Sequence, residues 1–390
     1  MISTRLELFL FLLPALLGGY AYFLYPALLR VWGAFRPARA PLADPPVWPR
    51  VSIVVPAYNE ARTIRRTIES LLALDYPAER RQILIVSDAS EDGTDDIVRE
   101  YADRGVELLH LPIRGGKTAA ENAALARLDG EVIVNTDATI RILPGSLKPL
   151  LRVFQDPTVG VASGRDVSVG DITVEGNQGE SGYVGYEMWV RSLETVVGSI
   201  VGASGCFYAI RRELHEVLVP AALSRDFASA LTAREHGLRA VSVDEAVCLV
   251  PRTASLQREY KRKIRTMARG LETLWFKRHL LNPFRYGRFA FMLWSHKLVR
   301  WLVFLVWPAA LVGLVLLALG SVVAAGLLVA TLVGLVLGVL AMRAPEGRPL
   351  PRITALCGFA LASHVAGFIA WTKALRGELN PIWEPTRRPV

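Results

Sequence analysis

Five short polar stretches hold the residues of this chain best suited to chemistry. They are Ala57-Tyr-Asn-Glu60, Ser87-Asp88-Ala-Ser90, Gly115-Gly-Lys117, Thr136-Asp137-Ala-Thr139 and Ser224-Arg225-Asp226. A carboxylate can take a proton, and carboxylate and other oxygens can hold a hard cation. A lysine can meet an anionic ligand. Each residue alone also has an ordinary explanation. Aspartate is a common turn and cap residue, and lysine is usually solvent-exposed.

Position sets these stretches apart. Four of the five residues Val51-Ser-Ile-Val-Val55 are apolar and β-branched. They predict a buried strand that Pro56 ends, because proline brings no ladder N–H. Ile64, Ile68, Leu71 and Leu72 follow at helical spacing. Ile83 to Val86 is a second strand, ending at Asp88. A helix from Asp92-Gly-Thr94 leads to a third strand, Val106 to Leu109. Gly115-Gly-Lys117 opens an alanine-rich helix, and Val132 to Val134 is a fourth strand, ending at Asp137. Such alternation predicts an α/β unit over residues 51–250 with a parallel or mostly parallel sheet and right-handed crossovers. The polar stretches would then gather along one sheet edge, where open α/β sheets bind ligands. Gly164 to Gly182 is expected to be a loop over that edge. Val184 to Val197 is expected to be a helix with Glu187 and Glu194 exposed or functional.

The flanks have a different composition. Of 390 residues, 52% are hydrophobic, and mean hydropathy is +0.32; the excess lies at the two ends. Residues 1–35 contain an uncharged run, Leu8 to Leu29, long enough to span a bilayer. It exceeds the apolar core of a signal peptide. Arg30, Arg36 and Arg39 after it predict a cytosolic next domain. Residues 36–50 are a proline-rich linker. Residues 251–300 contain a basic amphipathic stretch expected at the membrane surface. Trp301 to Met342 carries no charge and predicts two spans turning near Gly320-Ser321. Residues 343–390 add the apolar segment Ile353 to Thr372, either spanning or re-entrant and interfacial, and a basic tail.

Net charge is +9, which suits nucleic acid, an anionic leaflet or a diphosphate ligand. Adjacency to the hydrophobic block favours the membrane, and no nucleic-acid partner is expected. Cys206, Cys248 and Cys357 show no metal-type spacing and read as reduced thiols.

Four ordered motifs carry a resemblance: Val54-Val-Pro-Ala-Tyr-Asn-Glu60, Ser87-Asp-Ala-Ser-Glu-Asp-Gly-Thr94, Gly116-Lys-Thr-Ala-Ala-Glu-Asn-Ala123 and Thr136-Asp-Ala-Thr139. Together, from Val51 to Trp275, the chain resembles the membrane-bound family 2 glycosyltransferases, which include chitin, hyaluronan, cellulose and poly-N-acetylglucosamine synthases. The resemblance implies a GT-A fold, a Rossmann-like sheet that binds a nucleotide sugar, with flanking transmembrane helices. It places Pro56, Tyr58, Glu60, Asp88, Lys117 and Asp137 around the nucleotide of a UDP-sugar. Asp88 would accept from the uracil, and Lys117 would lie near the diphosphate. Asp137 matches the first aspartate of an Asp-x-Asp element for Mg2+ or Mn2+; the last position is Thr139, a poorer metal ligand. Asp226 falls where the family carries its general base, with Arg225 in place of an acidic partner.

On the acceptor side, Gly205 matches a glycine element. Glu259 and Arg262 match a Gln-x-x-Arg-Trp motif that keeps only its arginine. That departure leaves two enzymatic outcomes open: polysaccharide synthesis, or transfer of one sugar to a polyprenyl phosphate or lipid. A non-catalytic scaffold of a polysaccharide secretion complex is the third reading. The expected setting is the inner (cytoplasmic) membrane, multi-pass, with donor UDP-N-acetylglucosamine or UDP-glucose and a saccharide or lipid-linked acceptor.

Overall fold

A computed structural model describes residues 4–37, 42–169, 178–251, 256–345 and 350–378. Its centre is an eight-stranded sheet. The strands are β1 (Val51–Ala57), β2 (Arg81–Asp88), β3 (Val106–Leu111), β4 (Val132–Thr136), β5 (Arg141–Ile142), β6 (Val159–Val169), β7 (Phe207–Arg211) and β8 (Arg239–Pro251), in the spatial order β3-β2-β1-β4-β7-β6-β8-β5. The first four are parallel, as the alternation predicts. β7, however, runs antiparallel to β4 and β6, and β5 antiparallel to β8, so the sheet is mixed.

Strand β1 does not stop at Pro56. It runs on to Ala57, with Pro56 opposite Val86 of β2. On its other side, pairing with β4 ends at Val54 opposite Asn135. The missing proline N–H therefore falls where β1 has no paired β4 residue. Alternate residues of β1 feed two cores. Ile53 and Val55 pack with Ile83, Ile85 and Val134 on one face. Val54 packs with Leu84, Val86 and Ile133 on the other. Both faces are covered, as a largely parallel sheet requires.

The helices of this unit are α3 (Ile64–Leu72), α4 (Thr94–Arg99), α5 (Lys117–Ala124), α6 (Leu147–Arg152), α7 (Gln178–Val197), α8 (Arg212–His215) and α9 (Arg225–Glu235), numbered after α1 (Thr4–Gly19) and α2 (Tyr25–Ala34) of the N-terminal segment. Two expectations change here. Gly164 to Val169 belongs to β6, and α7 already begins at Gln178; residues 170–177 lie outside the described residues. Glu187 and Glu194 are not exposed. Both are buried. His296 sits between them, its Nδ1 2.7 Å from Glu194 Oε1 and its Nε2 3.0 Å from Glu187 Oε1. Arg300 donates to Glu187 at 2.6 Å. A buried carboxylate needs such partners.

Beyond the sheet come α10 (Leu256–Phe276), α11 (Pro283–Tyr286), α12 (Arg288–Leu293), α13 (Arg300–Ala318), α14 (Val322–Arg343) and α15 (Arg352–Arg376). Among the described residues four helical segments are long and apolar enough to cross a membrane: Arg5–Ala34, Arg288–Ala318, Val322–Arg343 and Arg352–Arg376. The chain is a membrane protein. The break between α13 and α14 falls at Gly320-Ser321, where Ser321 caps α14 through Ala324 N.

Helix α15 does not run the length of its neighbours. It meets α14 near the end of that helix, where a Cβ on Gly358 would lie 2.5 Å from the Ala341 Cβ. It meets α13 near its start, where Trp371 Nε1 donates to Trp301 O at 2.8 Å. Between these points it lies along α10: Lys263 Nζ donates to Ser363 Oγ at 2.6 Å, and Ala268 and Leu271 cluster with Ala370.

Candidate active site

Glu60 beyond β1, Asp137 and Thr139 beyond β4, and the starts of α5 and α9 line a cavity of about 320 Å³. Lys117, Asp137, Gly205 and Asp226 meet in its wall. Lys117 opens α5 because Gly116 takes a backbone conformation with φ +88°, which a side chain would strain. Its ammonium donates to Asp137 Oδ1 at 2.5 Å and to Gly205 O at 2.9 Å. Burial alone would lower the Lys117 pKa; the carboxylates of Asp137, Glu121 and Asp226 outweigh it and hold the ammonium above its ordinary value.

Asp226 lies in the first turn of α9, where its carboxylate also suits the helix dipole. Ser224 Oγ donates to its Oδ1 at 2.5 Å. A Cβ at Gly205 would stand 2.6 Å from Asp226 Oδ2 and 3.7 Å from Lys117 Nζ. Glycine at position 205 is what lets that backbone approach both groups. The neighbouring Arg225 is almost wholly buried. It donates to Asn122 Oδ1 and His215 O, so it serves the protein interior rather than forming a pair with Asp226.

The nucleotide-side expectations land on one edge, with differences in detail. Both Asp88 oxygens accept backbone N–H groups, from Gly115 at 2.7 Å and Gly116 at 2.8 Å. A carboxylate has about four acceptor directions, so this use leaves others for a ligand. Glu60 lines the cavity, is nearly buried, and accepts from Thr63 Oγ1 at 2.5 Å. Tyr58 is stacked by Arg114, whose guanidinium lies 3.7 Å from the ring centre. Pro56 is inside β1 and buried.

On the acceptor side, Arg262 lines the same cavity, but its guanidinium is bound by Glu259 at 2.8 and 2.9 Å. Glu259 is 1% exposed, so it holds Arg262 and does not itself reach the cavity surface.

Several charged cavity residues were missed in the sequence, Glu121, Asp166, Arg191, Arg265 and Arg269 among them. Glu121 is fully buried, and neither of its oxygens has a hydrogen-bond partner. Burial pushes its carboxyl up to about 6, helped by Asp226 and Asp137 and opposed by Lys117 and Arg225. Its spacing of four residues from Lys117, one turn along the same helix face, was the available signal. Arg269 of α10 also lines the cavity.

Among the described residues no cluster of three or more His, Cys, Asp or Glu could hold a metal by itself. Asp137 and Thr139, the positions marked by the resemblance, offer a carboxylate and a hydroxyl in the cavity wall, with Lys117 already on Asp137 Oδ1. Hard divalent ions often take one or two carboxylates and complete their shell with phosphate oxygens and water. The donor set therefore fits an ion shared with a diphosphate, held by Asp137 and Thr139, rather than a resident metal centre.

The model of glycosyl transferase family 2 matches residues 52–219. An N-acetylglucosaminyltransferase of Mesorhizobium japonicum is 35% identical over 129 residues, 31% of this chain and 30% of that protein. A hyaluronan synthase of Streptococcus pyogenes is 32% identical over 184 residues, 44% of this chain and 42% of that protein. The similarity thus spans less than half the length of these relatives. A mannosyltransferase of Pyrobaculum calidifontis, solved in complex with GDP-Man and Mn2+, superimposes with a TM-score of 0.73 at 24% identity, covering 96% of this chain and 99% of that one. That likeness establishes the GT-A fold. The matched segment contains the ends of β1, β2 and β4, which carry the polar stretches. This chain thus carries a glycosyl transferase family 2 domain over residues 52–219, within a GT-A fold flanked by helices of membrane-spanning length.

Proposed function

We propose that this enzyme transfers a sugar, with inversion, from a UDP-sugar to a saccharide or lipid-linked acceptor at the cytosolic face of the inner membrane. UDP-N-acetylglucosamine and UDP-glucose are the favoured donors. The observation that carries this reading is the convergence of Lys117, Asp137, Gly205 and Asp226 on one cavity. Asp226 takes the proton of the acceptor hydroxyl. That oxygen attacks the anomeric carbon from the side opposite the diphosphate. The new C–O bond forms as the bond to the diphosphate breaks, and UDP leaves with the electron pair. One displacement through an oxocarbenium-like state inverts the centre. Lys117 balances the negative charge of the departing diphosphate. A bound Mg2+ or Mn2+, held by Asp137 and Thr139, would supply further charge neutralisation there.

One observation favours a single transfer over polymer synthesis. Where the processive motif has tryptophan, this chain has Lys263. Its ammonium lies 3.6 Å from the Phe359 ring centre and bonds Ser363, both on α15. The side chain thus turns to the bundle and offers no apolar platform to an acceptor sugar. In this reading α15 is interfacial, along α10, and Lys373 and Arg376 stay on the same side as the sheet, as the charge rule expects.

The direct test is nucleotide release by the purified protein with UDP-N-acetylglucosamine, UDP-glucose and GDP-mannose, with magnesium, manganese or chelator. Release from a UDP-sugar with inverted product supports the reading; release from GDP-mannose alone replaces the donor. Asp88 has its own expected result. Asp88→Ala should weaken UDP affinity and lower Tm together, because it also strands two backbone N–H donors, each worth about 1–3 kcal/mol when unsatisfied. Titration calorimetry and thermal unfolding read both. Unchanged UDP affinity would remove Asp88 from the nucleotide site.

A further inference from the structure

Helix α10 has two faces in contact with different parts of the molecule. One packs on α15 through Lys263, Ala268 and Leu271. The other holds the segment 219–224, which leads into α9 and Asp226. Arg269 Nε donates to Ala222 O at 3.1 Å, and its Nη2 donates to Ala221 O at 2.6 Å and Leu223 O at 3.2 Å. Four residues on, Thr273 Oγ1 accepts from Ser224 N at 3.0 Å. Helix α5 holds the segment from its other side: Thr118 Oγ1 donates to Leu223 O at 2.9 Å, and Asn122 Nδ2 to Val219 O at 2.8 Å.

The segment has no helix or strand of its own. Its carbonyls therefore need partners from elsewhere. A planar guanidinium can serve three carbonyls in one fixed arrangement; a lysine ammonium on a flexible stem cannot reproduce it. The held backbone ends at Ser224, whose hydroxyl donates to Asp226 Oδ1.

We propose that Arg269 is a positioning residue: it fixes the 221–223 backbone, and through it Asp226, to the helix that packs on the membrane bundle. This rests on the reading of Asp226 as the base. The position of the base is then set by α10 and α15 as well as by the sheet. A misplacement of about 1 Å in a reacting group costs about 10²-fold in rate, so the contact has kinetic weight without touching substrate.

The test uses the whole 390-residue chain in lipid nanodiscs, with Arg269→Ala, Arg269→Lys and Asp226→Asn measured together. Arg269→Ala should lower kcat by about 10²-fold and leave donor KM and UDP affinity unchanged. Added guanidinium ion should restore part of its turnover, and Arg269→Lys should not recover it. Undiminished kcat in Arg269→Ala would overturn the proposal. So would a rise in donor KM at intact kcat, which marks a substrate contact, or loss of both UDP binding and turnover without guanidinium rescue, which marks general unfolding. If Asp226→Asn keeps full turnover, the base assignment falls. If Asp226→Asn is inactive while Arg269→Ala is fully active, only the positioning role falls.

Discussion

Asp226→Asn is expected to lower kcat by about 10²–10⁴-fold, the usual contribution of a positioned general base, with UDP affinity unchanged. The substitution is close to isosteric. Asparagine can still accept from Ser224 Oγ, which now donates to Oδ1 at 2.5 Å. It still fits against Gly205, whose missing side chain makes room for Oδ2. What it loses is the capacity to take a proton and the negative charge that faces Lys117 and Arg269. A cap role for Asp226 predicts something else. Asparagine serves as a helix cap about as well as aspartate, so a capping residue would give near-normal turnover. Steady-state UDP release separates the two, with calorimetric UDP binding as the control for folding. Undiminished kcat would sink the catalytic assignment and leave Asp226 structural.

The sheet edge that gathers Glu60, Asp88 and Asp137 was legible in the sequence because it is built locally. Each of Glu60, Asp88 and Asp137 lies at or just beyond the end of an apolar strand, and parallel strands bring their C-terminal ends to one edge whatever else the fold does. Asp226 and Gly205 were legible only through the family resemblance; no local pattern marks them. The antiparallel placement of β7 was not legible at all. Its sequence, Phe207 to Arg211, is apolar like the parallel strands, and strand direction follows from the route of the chain through α7, not from residue type.

Glu121 and Arg269 were hidden for a similar reason. In sequence, Glu121 is a polar residue in an alanine-rich helix and Arg269 one of many cations in a basic amphipathic helix. Their surroundings come from distant segments: Arg269 meets carbonyls 46 to 48 residues away. Glu187 and Glu194 misled in the opposite sense. Their partners His296 and Arg300 lie more than 100 residues on, so the ion cluster that buries them had no local signature.

Lys117→Ala is the second large effect expected, on activity and on stability with opposite sensitivity to a compensating change. Lys117 stands among Asp137, Glu121 and Asp226. Removing it leaves carboxylates without their nearest cation in a partly buried site, a change that costs about 3–5 kcal/mol when a buried pair is broken. It also removes the ammonium proposed to balance the leaving diphosphate, so kcat/KM should fall by at least about 10²-fold, in the range of other electrostatic contacts to a transition state.

The pH dependence follows from the signs. The Lys117 pKa is raised in the fold, so its stabilisation is complete below its unfolded value and is lost only as pH rises through the folded one, far above neutrality. Glu121 is the opposite kind of group. Its folded carboxyl stands at about 6 against an ordinary 4.5, so the fold loses about 2 kcal/mol as pH rises through that interval. Without Lys117, which now lowers it, Glu121 moves further up and the loss extends to higher pH. The Tm deficit of Lys117→Ala should therefore widen from about pH 5 to about pH 8. Adding Glu121→Gln removes the titrating carboxyl, so it should narrow the deficit at the alkaline end and leave turnover low. A deficit that is flat or shrinks with rising pH would refute the electrostatic account of this cluster. Recovery of turnover in the double variant would show that Lys117 acts by restraining Glu121 rather than by meeting the diphosphate.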